Sequence, residues 1–219
     1  MDNARIDAET LEGIVFVGRS LGPFYRYDPK REFDVIGPAY DAIAQLDARE
    51  ASREWPFVDD DEAFRALGLM QEGLEDDFDE DAIVWEYRRL FVGPGHKAAP
   101  PWGSVYTDKD GVMYGGTWVT LREWMRANGL VVEDGQAREP EDHIGLMLEL
   151  MAWIADNRPE LLEDFLSLHL LPWAGHFTEV LEEAAQHPFF EALALLTRAS
   201  LNGIQETLGL QVESPRFYR

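Results

Sequence analysis

Residues 139–143 place two chemically capable side chains next to each other, the carboxylate of Asp142 and the imidazole of His143. The segment reads Glu-Pro-Glu-Asp-His and precedes the most apolar helical stretch of the chain. Neighbouring residues on a helix project about 100° apart, so this pair is not suited to chelating one metal ion. Asp142 could cap a helix by accepting backbone N–H groups, or it could accept hydrogen bonds from a cationic peptide group. The residue types alone leave both interpretations open.

A second segment, residues 90–106, offers a surface for binding rather than a reactive group. It reads Leu-Phe-Val-Gly-Pro at 90–94 and Pro-Pro-Trp-Gly-Ser-Val-Tyr at 100–106. Consecutive prolines favour an extended backbone, and Trp102 and Tyr106 combine a broad apolar area with a polar tip, as interface anchors do. This pattern predicts a recognition loop around Trp102. The alternative is that Trp102 fills the core of the protein.

Patterns for catalysis or cofactor binding are weak. Ser104 lies in Gly-Ser-Val, which is not the G-x-S-x-G elbow of hydrolases. Residues 93–95, Gly-Pro-Gly, are too short and too rigid for a phosphate-binding loop. Glu183 and His187 could hold a metal, but the chain has no HExxH motif, and His187 is expected to interact with the dipole of a helix C-terminus. We therefore expect no metal and no cofactor.

The chain is strongly acidic, with a formal net charge of −23 from 42 acidic and 19 basic residues. Such a surface disfavours nucleic acids and anionic lipids, because proteins bind both through cationic side chains. It favours a cationic partner such as an arginine-bearing peptide, although general solubility or adaptation to a salty cytoplasm is the simpler explanation. The absence of cysteine excludes disulfides and thiolate chemistry.

Targeting signals are also missing from the sequence. It contains no apolar run of about 18 residues, and its first residues lack the charged-then-apolar layout of a signal peptide. These observations predict a cytoplasmic protein without stable membrane insertion.

Apolar residues recur at helical spacing nearly throughout, which predicts an all-α, single-domain bundle of about eight to ten helices over residues 1–219. The stretch 144–155 is apolar almost all round and is expected to be the central helix, with Pro140 at its first position. Breakers between 93 and 116 predict one long ordered loop, which contains a small hairpin turning at 110–111.

A polar linker at 133–138 is a candidate seam between subdomains. Helical bundles with such linkers can exchange halves, so the linker is also a candidate hinge. The expected oligomeric state is therefore a monomer or a domain-swapped dimer.

Six segments, in this order along the chain, together resemble the TorD/DmsD family of redox-enzyme maturation chaperones, and the resemblance is closest to its DmsD branch. They lie at 90–94, 100–106, 121–126, 139–143, 169–173 and 187–189.

The resemblance implies an all-α fold and a non-catalytic role. It implies binding of the twin-arginine leader peptide of a molybdoenzyme catalytic subunit, of the dimethyl sulfoxide reductase type. The chaperone would hold that precursor back from Tat export until its cofactor is inserted, with contact to Tat translocase components. The residues implied in signal-peptide binding are Asp142, His143, Trp102, Leu90, Phe91, Gly115 and Tyr87.

Two other classes of protein remain as alternatives. One is a helical interaction module with a different client, and the other is a metal- or nucleotide-dependent enzyme on a helical scaffold. A titration with a twin-arginine leader peptide separates these classes from the chaperone.

Overall fold

The computed structural model describes residues 6–74, 80–130 and 139–219, which form helices and connecting loops with no strand among them. The predicted all-α fold is therefore confirmed. The helices are α1 (Ala8–Arg26), α2 (Phe33–Gln45), α3 (Ala48–Glu54), α4 (Asp60–Glu72), α5 (Glu80–Tyr87), α6 (Gly103–Thr107), α7 (Gly116–Ala127), α8 (Ile144–Asn157), α9 (Leu162–Phe165), α10 (Leu171–Ala184) and α11 (Pro188–Leu208). Two π-helical turns, Arg88–Val92 and Leu166–Leu170, and a 3₁₀ turn, Pro159–Leu161, extend this set.

The helix α8 is largely buried, as its apolar sequence predicts, although its Trp153 is 44% exposed, and α1 packs along it. Glycines allow the two backbones to approach each other closely. A β-carbon on Gly18 would lie 2.3 Å from the carbonyl oxygen of Leu148, and one on Gly145 would lie 2.8 Å from that of Gly22. Contacts this short leave no room for a side chain, so the glycines fix how α1 meets the start of α8.

The prediction that α8 begins at Pro140 is wrong, because the helix begins at Ile144. His143 has an extended backbone and forms an isolated antiparallel bridge with Trp102. Pairing with another segment holds residues 142–143 out of the helix, and the sequence of 139–143 carries no signal for that pairing.

The predicted hairpin between 104 and 114 is also wrong, because Gly103–Thr107 forms the single helical turn α6. The turn at Asp110-Gly111 is present, with a φ of 58° at Gly111. Residues before it are helical because the carboxylate of Asp142 accepts the backbone N–H of Ser104 at 2.7 Å. A contact across 38 residues therefore overrides the local hairpin pattern.

His187 lies at a helix N-terminus rather than at the predicted C-terminus. It caps α11, where its Nδ1 accepts the backbone N–H of Phe189 at 3.3 Å. Burial lowers the pKa of His187, which favours the neutral ring that such a cap requires.

Two further predictions concern the linker between possible subdomains and the absence of a membrane-spanning segment. The linker predicted at 133–138 lies outside the described residues. Within the three described stretches, no helix is both long and apolar enough to cross a membrane.

Candidate functional site

The two segments singled out from the sequence, around Trp102 and around His143, meet in the structure. Gly103 N donates to the carbonyl of Asp142 at 3.0 Å, and Ile144 N donates to the carbonyl of Pro101 at 2.8 Å. The rings of Trp102 and His143 pack edge to face, with centroids 6.1 Å apart. This short bridge joins the start of α6 to the start of α8.

Asp142 is 1% exposed and lies at the inner side of this junction. Its Oδ2 accepts the backbone N–H of Ser104, while its Oδ1 has no hydrogen-bond partner among the described residues. Burial raises the pKa of Asp142, and its contacts with Ser104 only partly oppose that increase. Asp142 is thus a helix cap, as one of the two interpretations predicts, but it caps α6 rather than the helix that follows it in sequence.

His143 is the N-cap of α8 and is 3% exposed. Its Nδ1 accepts the backbone N–H of Gly145 at 3.1 Å, which requires that nitrogen to be unprotonated. Burial, together with the nearby positive charge of Arg26, lowers the pKa of His143 to about 3. The imidazole is therefore neutral at physiological pH and acts as an acceptor.

Three more predicted residues form the packed layer beneath the loop. Tyr87 donates its hydroxyl to the carbonyl of Tyr25 at 2.7 Å, and Phe91 packs edge to face on both tyrosine rings. Leu90 is fully buried, and its carbonyl accepts Ala99 N at 3.0 Å. These side chains support the loop from below and are closed to solvent.

Gly115 lies apart from the other six, at the N-cap of α7. A β-carbon at this position would lie 2.1 Å from Oδ2 of Asp108, whose Oδ1 accepts Gly116 N at 2.9 Å. Its conformation is extended and unstrained, so the requirement for glycine is one of space. A hydrogen bond between Thr107 and Thr117 at 2.6 Å joins α7 to α6.

The polar rim of the junction is formed by side chains that the sequence analysis did not select. Glu139 lies within electrostatic reach of Glu32 and Lys97, and Lys97 Nζ lies 5.3 Å from the centroid of the Trp102 ring. Partial burial raises the pKa of Glu139, whereas its contact with the Trp102 side chain and the charge of Lys97 lower it, and the charge of Glu32 raises it slightly further. Lys97 is one of only three lysines in the chain, and this rarity is the feature of the sequence that could have singled it out as a site residue.

Comparison with known proteins places this junction within a family. The model of the family described as nitrate reductase delta subunit matches residues 58–179, which include Trp102, Asp142 and His143. A protein of Haemophilus influenzae (strain Rd) named "Probable Tat proofreading chaperone DmsD" is 37% identical over 211 residues, 96% of this chain and 98% of its own. The chain belongs to the TorD/DmsD family.

Further relatives of this TorD/DmsD family member agree with that assignment. The Tat proofreading chaperone DmsD of Salmonella typhimurium (strain LT2) is 36% identical over 202 residues, 92% of this chain and 93% of its own. A solved structure described as a redox enzyme maturation protein from Archaeoglobus fulgidus superposes with a TM-score of 0.51 at 22% identity, and covers 92% of this chain and 99% of the other. That likeness supports the fold alone.

Family membership also decides between the classes left open by the sequence, because TorD/DmsD proteins are maturation chaperones and not enzymes. Among the described residues of this family member, no group of three or more His, Cys, Asp or Glu side chains is arranged to hold a metal ion.

An exposed apolar surface of this TorD/DmsD family member adjoins the junction and was missed from the sequence. We name it the 112–119 patch, and its members, between 41% and 55% exposed, are Val112, Met113, Tyr114 and Val119. Tyr114 has a φ of 65°, which is rare and strained for a residue of its size, and its ring packs edge to face on Trp118. The Trp118 indole donates at 2.6 Å to Glu141, the residue before Asp142. The patch and the buried pair therefore belong to one connected region.

Proposed function

We propose that this protein is a cytoplasmic chaperone for a molybdopterin oxidoreductase of the dimethyl sulfoxide reductase type. It binds the twin-arginine signal peptide of the catalytic-subunit precursor and delays Tat export until the cofactor is inserted. The observation that carries the proposal is 36–37% identity, over more than nine tenths of both chains, to proteins named Tat proofreading chaperone DmsD. Contact with Tat translocase components belongs to the same proposal.

The chemistry of a twin-arginine peptide matches the surface around the junction. Such a peptide has a cationic part followed by an apolar part. Glu32 and Glu139 place two carboxylates within electrostatic reach of each other, and a peptide guanidinium beside them would be attracted to both. The 112–119 patch supplies exposed apolar area for the following part, whose burial is worth roughly 25 cal/mol per Å² before ordering costs.

The residues predicted from the sequence take a positioning role in this proposal. Asp142 is closed to solvent, so the peptide arginines meet Glu32 and Glu139 at the rim and not the buried carboxylate. Asp142 and His143 hold the starts of α6 and α8 together, and thereby hold the loop that carries Lys97 and Trp102. Tyr87, Leu90 and Phe91 support that loop from the core, and Gly115 allows the close approach that shapes the patch.

A synthetic twin-arginine leader peptide is expected to bind the full chain in the micromolar range in a calorimetric titration. The Glu32→Gln/Glu139→Gln variant should bind it about three- to tenfold more weakly, because it removes two exposed ion pairs that contribute roughly 0.2–1 kcal/mol each. The loss should shrink as salt is added, since salt screens exposed charges.

The matched control for this titration is the Glu9→Gln/Glu12→Gln variant, which makes the same charge change near the start of α1. Those residues are exposed and lie about 25 Å (Glu9) and about 21 Å (Glu12) along the helix from Arg26, at about 1.5 Å per residue. Equal weakening in both variants would show that only net charge matters and would contradict the rim site. Absence of binding to any twin-arginine leader at tens of micromolar would refute the function itself.

Substitutions of Asp142 distinguish its contribution to protein stability from its contribution to leader-peptide binding. Asp142→Ala leaves Ser104 N buried without an acceptor and should lower the free energy of unfolding by about 1–3 kcal/mol. Asp142→Asn keeps an oxygen acceptor and removes a buried charge, so its melting temperature should stay close to that of the wild type. Thermal melts and leader titrations of both variants test this.

If Asp142 acts by positioning the loop, the loss of leader affinity should be larger for Asp142→Ala than for Asp142→Asn. Equal loss of affinity in both variants, with an unchanged melting temperature for Asp142→Asn, would instead indicate that the negative charge itself contacts the peptide.

A further inference from the structure

Residues 215–219 lie extended across α6 and α10 and contact the loop that precedes Trp102. Tyr218 N donates to the carbonyl of Tyr106 at 2.9 Å, and the Phe217 ring stacks on His176 with centroids 4.1 Å apart. His176 Nε2 also lies 2.6 Å from the main-chain oxygen of Arg219. The segment is therefore held through both its backbone and its side chains.

The far end of this segment is held by the loop itself. The guanidinium of Arg219 donates to the carbonyl of Lys97 at 2.5 Å and lies 3.4 Å from Nδ1 of His96. Lys97 is the same residue whose ammonium group lies over the Trp102 ring and beside Glu139. Residues 215–219 and the rim carboxylate of Glu139 thus lie next to the same loop.

Side chains of the segment alternate between facing the protein and facing solvent. Pro215, Phe217 and Arg219 are partly buried, whereas Arg216 and Tyr218 are exposed. This alternation is typical of an extended peptide bound on a protein surface. The surface contacts the main chain of such a peptide and every second side chain. The surface beneath it, formed by residues 96–97, Tyr106 and His176, is in this sense a peptide-binding groove.

The chemistry of the occupant is the chemistry of the proposed client. The segment reads Pro-Arg-Phe-Tyr-Arg and places two arginines around two aromatic residues, in a chain whose net charge is −23. The guanidinium of Arg219 donates to the carbonyl of Lys97, and the neighbouring Phe217 ring stacks on His176. A cationic residue with an apolar neighbour therefore suits this groove.

Resting on the proposed function, we propose that residues 215–219 are an intrachain occupant of a groove that also takes one arginine of the precursor's leader peptide with its apolar neighbour, next to the rim where Glu32 and Glu139 meet the other arginine. Among the described residues, the occupant is held by one main-chain hydrogen bond, the packing and ring stack of Phe217 and the contacts of Arg219, so a peptide ligand can displace it. While the tethered segment fills the groove, the leader peptide cannot bind there. The apparent affinity of the protein for the leader is therefore reduced in proportion to the fraction of molecules whose groove is empty.

The test compares full-length variants that do and do not weaken the occupant. Phe217→Ala/Arg219→Ala removes two of the three inward side chains, and the control Tyr218→Ala removes an exposed side chain while keeping the backbone donor. The double variant should bind a twin-arginine leader about tenfold more tightly than the wild type, and the control should bind it as the wild type does. An unchanged or weaker affinity in a folded double variant would overturn the competition.

Two further measurements keep the groove and the proposed function separate. A fluorescent peptide of residues 213–219 should bind the double variant in an anisotropy titration, and its failure to bind would overturn the groove even if the leader binds. Binding of that peptide with no leader binding to any variant would refute the proposed function while the groove stands. In the wild type, leader should speed hydrogen exchange at Tyr218 N–H, and unchanged protection at saturation would overturn displacement.

Discussion

Replacing Gly18 by alanine is expected to lower the free energy of unfolding by at least about 2 kcal/mol, since forcing atoms into a packed interface costs about 1–3 kcal/mol and sometimes more. The added β-carbon would lie 2.3 Å from the carbonyl oxygen of Leu148 and 2.9 Å from the β-carbon of Ala152. The nearest of these is a backbone atom inside α8, so the strain is relieved only if the two helices move apart. Urea unfolding of both proteins, with unchanged m-values, measures the loss.

Gly68→Ala is the matched control, because it makes the same chemical change inside another helix, α4. Nothing lies within 4 Å of a β-carbon at Gly68, so the change should stabilise the protein by roughly 0.5–1 kcal/mol through helix propensity alone. Opposite signs for the two variants would confirm that the α1–α8 contact is what requires glycine. A neutral Gly18→Ala variant would contradict the close approach of the two backbones.

The Gly18 contact also bears on function, because the same two helices position the functional junction. His143 caps α8, and Gly145 at its first turn lies against Gly22 of α1. An ion pair between Arg26 and Glu149 joins the two helices near this end. Leader binding by Gly18→Ala should therefore fall even below the temperature at which the variant unfolds.

Acidification from pH 7 to pH 5 is expected to cost about 2 kcal/mol of stability through His143 alone. Burial lowers its pKa in the folded state to about 3, from 6.5 for an ordinary histidine. Below pH 6.5 the unfolded chain binds a proton that the folded protein does not, so stability falls as pH decreases from 6.5 towards 3. Each pH unit in that window corresponds to about 1.4 kcal/mol for one group.

The variant His143→Asn isolates this contribution, because asparagine can still accept the N–H of Gly145 as an N-cap but does not titrate. Urea unfolding at pH 7 and pH 5 should show a loss about 2 kcal/mol smaller in the variant than in the wild type. The wild type and the variant must be compared because other ionisable groups also change the stability between pH 7 and pH 5. His169, with a pKa lowered to about 4, acts in the same direction, whereas the raised pKa values of Asp142 and Glu149 act in the opposite one. If the two proteins lost equal free energy of unfolding between pH 7 and pH 5, the pKa of His143 would not be lowered by folding, and its ring would be protonated in the folded protein at pH 5.

The fold was largely readable from the sequence, because burial of apolar faces at helical spacing is a local property of the chain. The stretch after His143 is apolar almost all round, and α8 is largely buried for that reason. Errors arose where a distant contact changes a helix boundary. The cap that Asp142 provides to Ser104 creates α6, and pairing with Trp102 delays the start of α8.

The sequence by itself determined the family resemblance, the all-α class and the two segments that matter, since residue order and apolar spacing carry that information. Only the tertiary structure decided that these segments pair through Trp102 and His143 and that Asp142 is buried beneath the surface that a peptide would meet. It also placed Arg219 of the final segment on the loop carrying Lys97. The physical reason is that burial and electrostatic contact depend on distances between residues remote in the chain, and helix packing sets those distances.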